Sequence, residues 1–214
     1  MAFGCGDDGG GGGTGGGTGG VGGGTGGTGG GTGGTGGGTG GTGGSTGPTC
    51  TDTACLFCPA SALDPTVGAL FPDGLNVPIT FTAEPQTALT QGGTSTVDIV
   101  ANSAITGLPV SVEATLADTS TTTYDVTAGG SGTADIAVPA AMLSGTDLNI
   151  DAGAGTLDAT ADADATDLTI QLTSAVFDLS VTSPVPLDLT LDASPTGPCM
   201  MLGDGVTNTV GPAM

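Results

Sequence analysis

The sequence has no lysine, arginine or histidine among its 214 residues, and no tryptophan. Without cationic side chains it has nothing to hold a phosphate backbone, which excludes nucleic acid as a partner. The same absence removes the base of a Ser-His-Asp triad, the lysine of a Schiff base and histidine ligands for zinc. We therefore expect a protein that is not an enzyme and that needs no cofactor.

Acidic residues are the only charged side chains, and 21 of them give the chain a formal net charge of −21. Since no side-chain salt bridge can form, the net effect of these charges is mutual repulsion. We expect mild acidification and added salt to stabilise the fold, because each of them weakens that repulsion.

The composition divides the chain into two parts. Thirty of the 45 glycines lie in residues 1–47, whereas 19 of the 21 acidic residues follow them. Residues 6–48 contain a seven-residue repeat, Gly-Gly-Gly-Thr-Gly-Gly-Thr. Glycine opposes a helix, and the segment has too few apolar side chains to bury a core. We expect a disordered, flexible tether at 6–48, followed by a single domain at 49–214.

The N-terminal residues Ala2-Phe3-Gly4-Cys5 resemble the lipobox of bacterial envelope lipoproteins, although Ala2 stands where that family usually has leucine. The resemblance covers residues 1–5, as a lipobox remnant, and it implies that Cys5 carries lipid. It also implies a protein of the cell envelope, either anchored in the outer membrane or extracellular. The lipid would be the only link to a membrane, and the sequence does not identify a surface or matrix partner.

Four further cysteines bracket the predicted domain: Cys50, Cys55, Cys58 and Cys199. An even number suits two disulfides in an exported protein, and at least one of them would join the two ends of the domain. The spacing leaves the pairing open. It also matches the first three cysteines of plant-type [2Fe–2S] ferredoxins, and four thiolates could hold structural zinc. The fourth cysteine lies about 140 residues away, however, not a few tens, so disulfides are the preferred interpretation.

From about residue 75 onward, apolar residues alternate with threonine, serine and aspartate. This period of two predicts strands with one buried and one solvated face. Glycine-rich turns are expected at 91–93, 129–132, 144–145 and 153–155. About nine or ten short strands separated by such turns predict an all-β fold, an antiparallel β-sandwich or barrel. Only residues 61–70 and 140–144 are expected to form short helical turns.

One segment, residues 159–167, concentrates aspartate. If it is a strand, its alanines face inward and its acidic residues form a solvated face that prevents edge-to-edge pairing. The alternative is a calcium site built from carboxylate oxygens, with these candidate ligands: Asp158, Asp162, Asp164 and Asp167. The ligand and glycine spacing of a calcium loop is missing, so no metal is expected.

The sequence therefore predicts a non-enzymatic cell-envelope or secreted protein whose sandwich has a structural or adhesive role. The alternative is a binding module whose sandwich encloses a small apolar ligand or lipid, since few large side chains are present to fill the core.

Overall fold

The structure, a computed structural model, describes residues 54–213. Within that range the fold is all-β with antiparallel sheets, as the alternating pattern predicts. No helix among these residues is long and apolar enough to cross a membrane. Cys5, the predicted tether at 6–48 and Cys50 lie outside the described residues, so lipidation and tethering remain predictions.

The described residues form thirteen strands. They are β1 (Ala54–Cys58), β2 (Leu75–Pro85), β3 (Thr94–Ile105), β4 (Val112–Leu116), β5 (Thr121–Ala128), β6 (Gly130–Ser131), β7 (Thr133–Ala137), β8 (Ala141–Gly145), β9 (Leu148–Ala161), β10 (Asp167–Ser183), β11 (Leu187–Asp192), β12 (Met200–Leu202) and β13 (Val206–Thr209).

The chain between β1 and β2 contains the only helical segments of the described range. These are a 3-10 turn (Ala60–Ala62) and the short helix α1 (Pro65–Leu70). Helix α1 lies within the helical turn predicted at 61–70, and the 3-10 turn overlaps its start. The Asp64 side chain caps α1 by accepting a 2.8 Å hydrogen bond from the Thr66 backbone N–H. Proline fits the first helical position because it has no N–H that would need a partner there.

The first sheet has the strand order β12-β1-β2-β3-β9-β6, and every pairing in it is antiparallel. The sequence of β2 alternates in the way that a half-buried strand requires. Its odd-numbered residues from Leu75 to Ala83 are buried, and the residues between them face outward. Strands β1 and β12 are paired with Phe57 opposite Met200. The next residues along, Cys58 and Cys199, are joined by a disulfide.

The second sheet is built around the 17-residue strand β10. Strands β4 and β5 pair with successive parts of one side of β10, and β11 and β13 pair with the other side. Strands β8 and β7 extend the sheet beyond β4 and β5, respectively. Two rows of short strands therefore flank one long strand, which reaches along the whole sheet.

The two sheets face each other across one hydrophobic core. Val77 and Ile79 of the first sheet and Leu116 of the second are completely buried in it. The rings of Phe81 on β2 and Tyr124 on β5 meet edge to face across the core, with centroids 5.1 Å apart. Apolar side chains from both inner faces thus interdigitate as in a β-sandwich.

The structure corrects three local predictions. Residues 141–145 form strand β8 and not a helical turn, because they pair with β4. The expected turn at 153–155 is a bulge inside β9, where the register against β3 shifts. Gly153, with φ of 99°, permits it. The expected strand at 159–167 ends at Ala161, and β10 begins only at Asp167.

The glycine-rich segment at 129–132 is more than a turn. The chain leaves β5 in the second sheet, pairs with β9 of the first sheet through β6, and returns to pair with β5 as β7. A side chain at Gly129, whose φ is 74°, would collide with the Asp167 carbonyl oxygen. Only glycine lets the backbones approach this closely, so this segment joins the two sheets at one corner.

Candidate functional site

An apolar cleft opens at one end of the sandwich, with a volume of about 110 Å³. We call it the end cleft. Its floor comes from both sheets, through these side chains: Leu75, Ile105 and Leu148 of the first sheet and Ala114, Leu179 and Leu191 of the second. Thr66 is the only polar residue among those that line it.

Three connecting segments form the rim of the end cleft. Helix α1 contributes Val67 and Leu70, the crossover between β3 and β4 contributes Leu108 and Val110, and the loop between β10 and β11 contributes Val185. Leu70 and Val185 are 43% and 47% exposed, respectively. These connections leave the core uncovered at this end, because they carry apolar side chains but do not close over them.

The end cleft is not among the sites predicted above, although the sequence contains a signal for it. Loops are normally polar, but Leu108 and Val110 flank a proline in the β3–β4 connection, and Val185 lies between two prolines in the β10–β11 connection. Apolar side chains in such connections indicate a surface that covers or contacts something apolar. Alternation alone assigns them to strands, because Leu108 and Val110 continue the apolar period of β4 and Val185 that of β11. The structure leaves all three outside the strands, in the connections.

Two carboxylates lie beside the rim of the end cleft without lining it. Asp64 is exposed and accepts a hydrogen bond from the backbone N–H of Thr66, a lining residue. Asp147 is exposed and accepts one from the backbone N–H of Gly107, next to the lining residue Leu108. Because the chain contains no lysine, arginine or histidine, nothing in the protein balances these charges. The opening of the end cleft is therefore electrostatically negative and its interior is apolar.

Hydroxyl groups take the place of cations beside many carboxylates on the outer faces of both sheets. Six cross-strand or loop-to-strand hydrogen bonds of 2.6–2.8 Å have this form: Thr96 to Asp158, Thr119 and Thr190 to Asp178, Thr123 to Asp135, Thr173 to Asp125, and Ser180 to Asp188. Four of the six join residues that are directly opposite each other in paired strands, so strand register brings the hydroxyl to the carboxylate.

Asp178 on β10 shows the electrostatic result of this arrangement. The Thr119 hydroxyl donates to its Oδ2 at 2.6 Å, and the Thr190 hydroxyl donates to its Oδ1 at 2.7 Å. These hydrogen bonds stabilise the ionised form and lower the pKa of Asp178, while partial desolvation opposes them weakly. The carboxylate is thus held by specific donors, in contrast to the general repulsion expected from composition.

The four calcium candidates lie around the connection from β9 to β10. Asp158 is on β9 and accepts a hydrogen bond from Thr96, Asp162 and Asp164 are in the connection, and Asp167 begins β10. Among residues 54–213, no group of three or more acidic or cysteine side chains comes together in a way that could hold a metal ion. Because the strand ends at Ala161, these aspartates do not share one strand face.

The cysteines that the structure describes are all in disulfides. Cys58 is bonded to Cys199 across 141 residues of sequence, which confirms a bridge between the two ends of the predicted domain. Cys55 is also disulfide-bonded; the remaining cysteines, Cys5 and Cys50, lie outside the described residues. A disulfide sulfur is not available as a thiolate ligand, so the arrangement does not fit an iron–sulfur or zinc site.

Tyr124, the one tyrosine of the chain, is completely buried between the sheets. Its hydroxyl forms no hydrogen bond with any described residue. Burial raises its pKa to about 12, although the nearby Thr122 hydroxyl opposes this shift. That Thr122 hydroxyl itself points to the carbonyl oxygens of Ile136 and Ala152, at 3.4 and 3.3 Å. Tyr124 is therefore a core residue and not an accessible acid or base.

Comparison with known proteins does not indicate a function for this fold or for the end cleft. No family model, curated protein or solved structure matches the chain, so its function has to be inferred from its own residues.

Proposed function

We propose that this chain is a non-enzymatic protein of the cell envelope or the extracellular space, in which the β-sandwich has a structural or adhesive role. The observation that carries the proposal is the Cys58–Cys199 disulfide, together with the disulfide state of Cys55. Stable disulfides form mainly in oxidising compartments outside the cytosol.

The surface chemistry of the sandwich supports the same proposal. Its outer faces present hydroxyl and carboxylate groups as hydrogen-bonded cross-strand pairs, such as Thr123 with Asp135 and Ser180 with Asp188. The chain has no histidine, lysine or arginine to act as a base or a positively charged group, and its single tyrosine is buried. A surface or matrix partner would therefore contact a hydrated, negatively charged face. We propose no catalytic role for any of these groups.

The location is tested by fractionating the cells that produce the protein and by labelling them with radioactive palmitate. We expect the protein in the envelope fraction with label on Cys5, and we expect the Cys5→Ser variant to lose the label. Alkylation of intact cells without reductant should leave Cys55, Cys58 and Cys199 unmodified. A soluble cytosolic protein with alkylated cysteines would contradict the proposal.

A second candidate function is the binding of a small apolar ligand or lipid. The end cleft favours it, because a concave apolar surface with an exposed rim is typical of ligand sites. At about 110 Å³ the space is small. It accommodates part of a ligand, such as a short aliphatic segment, and not a whole lipid.

A further inference from the structure

We propose that the end cleft binds the hydrocarbon end of a single-chain amphiphile whose polar head is uncharged or cationic. This inference rests on the ligand-binding candidate and is independent of where the protein is located. It follows from the volume of the cleft, from the chemistry of its lining and from the charges around its opening.

The volume and lining determine which part of a ligand can enter. An apolar cavity of about 150 Å³ stays dry and accepts a group of benzene size, and the end cleft, at about 110 Å³, is of the same order. Apart from Thr66, its lining residues offer no polar side chain. A polar group that entered would lose its hydrogen bonds with water and gain almost none, so the part that enters is hydrocarbon.

The rim indicates that the ligand extends out of the cleft. Leu70 and Val185 keep 43% and 47% of their surfaces exposed at the opening. They provide apolar contact for the part of a chain that emerges between helix α1 and the β10–β11 loop.

The charges determine which polar head is accepted. Asp64 and Asp147 are exposed and hydrogen-bonded to backbone N–H groups of the rim, and the whole chain has no positively charged side chain. A carboxylate or phosphate head at the opening would be repelled by these groups and would find no counter-ion in the protein. A trimethylammonium head would be attracted to them, and a neutral head would be tolerated.

The test uses three eight-carbon amphiphiles that differ in the head group: octyltrimethylammonium, octanol and octanoate. Each is titrated below its micelle concentration into the protein at low salt, with binding followed by calorimetry and by NMR shifts of the Leu and Val methyl groups. We expect saturable one-to-one binding of the cation and the alcohol. We expect the cation to bind roughly tenfold more tightly than octanoate, with the difference shrinking at 0.5 M sodium chloride.

Two variants locate the site. Ala114→Leu places three extra carbons on the floor of the cleft and should abolish binding, whereas Ala154→Leu makes the same change at an exposed position of β9 outside the cleft and should bind as the parent does. If Ala114→Leu does not fold, Leu70→Gln serves instead, because Leu70 is an exposed rim residue. It should weaken binding of the cation severalfold.

The outcomes of these titrations distinguish the ligand-binding function from the preference for a head group. If none of the three amphiphiles binds, the ligand-binding function itself is wrong. If all three bind equally at low salt, or if octanoate binds best, the cleft is a ligand site but the inference about the head group is overturned. Equal loss of binding in Ala114→Leu and Ala154→Leu would show that the amphiphiles do not occupy the end cleft.

Discussion

Single residues show how a protein without cations satisfies its acidic groups. Asp178 receives two hydroxyl hydrogen bonds, and these lower its pKa below the ordinary value of 3.8. A depressed pKa in the folded state means that the group contributes stability above the pKa of the unfolded chain. That contribution is lost as the pH falls through the folded-state pKa. At this position the effect of acid is opposite to the stabilisation expected from general repulsion.

The first prediction concerns these two hydroxyl donors. In Thr119→Val and in Thr190→Val we expect the pKa of Asp178 to rise toward its ordinary value, because one donor to the carboxylate is lost in each. Carboxyl NMR titration of the parent and the variants measures this directly. Thr82→Val, at an exposed position of the first sheet, is the control and should leave the titration unchanged. If the pKa of Asp178 is the same in both variants as in the parent, the hydroxyls do not stabilise its charge.

The second prediction concerns the buried hydroxyl of Tyr124, which lacks a partner among the described residues. Tyr124→Phe should be neutral or should raise the free energy of unfolding by about 1 kcal/mol, because the desolvation cost of the hydroxyl disappears. Tyr124→Ala should lower it by about 3–5 kcal/mol, since the ring and its contact with Phe81 are lost. Urea denaturation measures both changes. A large loss in Tyr124→Phe would mean that the hydroxyl has a partner.

Tyr124 also affects the stability of the fold at high pH. Because the chain has one tyrosine and no tryptophan, phenolate absorbance reports Tyr124 alone. Its pKa is raised to about 12, so the folded state keeps the proton longer than the unfolded chain does. The contribution of the protonated Tyr124 to the free energy of unfolding is therefore unchanged below about pH 10 and falls as the pH rises toward 12.

At the scale of elements, the most demanding feature is the corner at residues 129–132, where one short segment pairs with strands of both sheets. Backbone packing there is too close for a side chain at Gly129. The bulge at Gly153 in β9 is a second such place, since a side chain there would lie 2.8 Å from the Ala137 carbonyl oxygen. These glycines allow the sheet edges to approach, and they are therefore structural, unlike those of the N-terminal repeat.

The third prediction separates close packing from backbone strain. Gly129 and Gly92 have nearly the same φ, 74° and 70°, but a side chain at Gly92 meets nothing within 4 Å. Both substitutions by alanine should cost about 1–2 kcal/mol for the left-handed conformation. Gly129→Ala should cost about 1–3 kcal/mol more because it overpacks the corner. Urea denaturation of the two variants gives the difference, and equal losses would contradict the close approach of the two sheets.

At the scale of the whole molecule, the net charge destabilises the folded state, whereas the disulfide stabilises it. A net charge of −21 without any cation favours expansion of the chain. The Cys58–Cys199 disulfide restrains both ends of the sandwich, and by loop-closure entropy a bridge across 141 residues stabilises the fold by about 5 kcal/mol. Hydroxyl groups that donate to carboxylates, as at Asp178, stabilise some of the acidic side chains in their ionised form.

The fourth prediction concerns this overall charge. The melting temperature should rise with sodium chloride up to about 0.15 M, where screening reaches about 8 Å. Calcium chloride at matched ionic strength should give a comparable rise, because residues 54–213 contain no cluster of three acidic side chains arranged for a metal ion. Thermal melts under the two salts measure this. A much larger rise with calcium would show that aspartates such as Asp162 and Asp164 bind it.

The sequence by itself determined the fold class, because alternation such as that of residues 75–83 allows one face to be buried and one to be solvated only in a strand. It also predicted a bridge between the two ends, since three of the four cysteines lie at the start of the domain and one lies near its end, so that pairing all four must join the ends. Both features depend on local pattern or simple counting. No particular tertiary arrangement is needed to recognise them.

Only the tertiary structure decided how the glycine segments and the acidic residues are used. Residues 129–132 and 153–155 look like turns in sequence, but contacts with distant strands convert them into a corner and a bulge. The end cleft depends on where three separate connections converge, and its floor combines side chains from both sheets. Likewise Asp178 is paired with Thr119 and Thr190, which are distant in sequence, because strand register places their hydroxyls beside it. Long-range pairing set these features, and sequence periodicity carries no information about it.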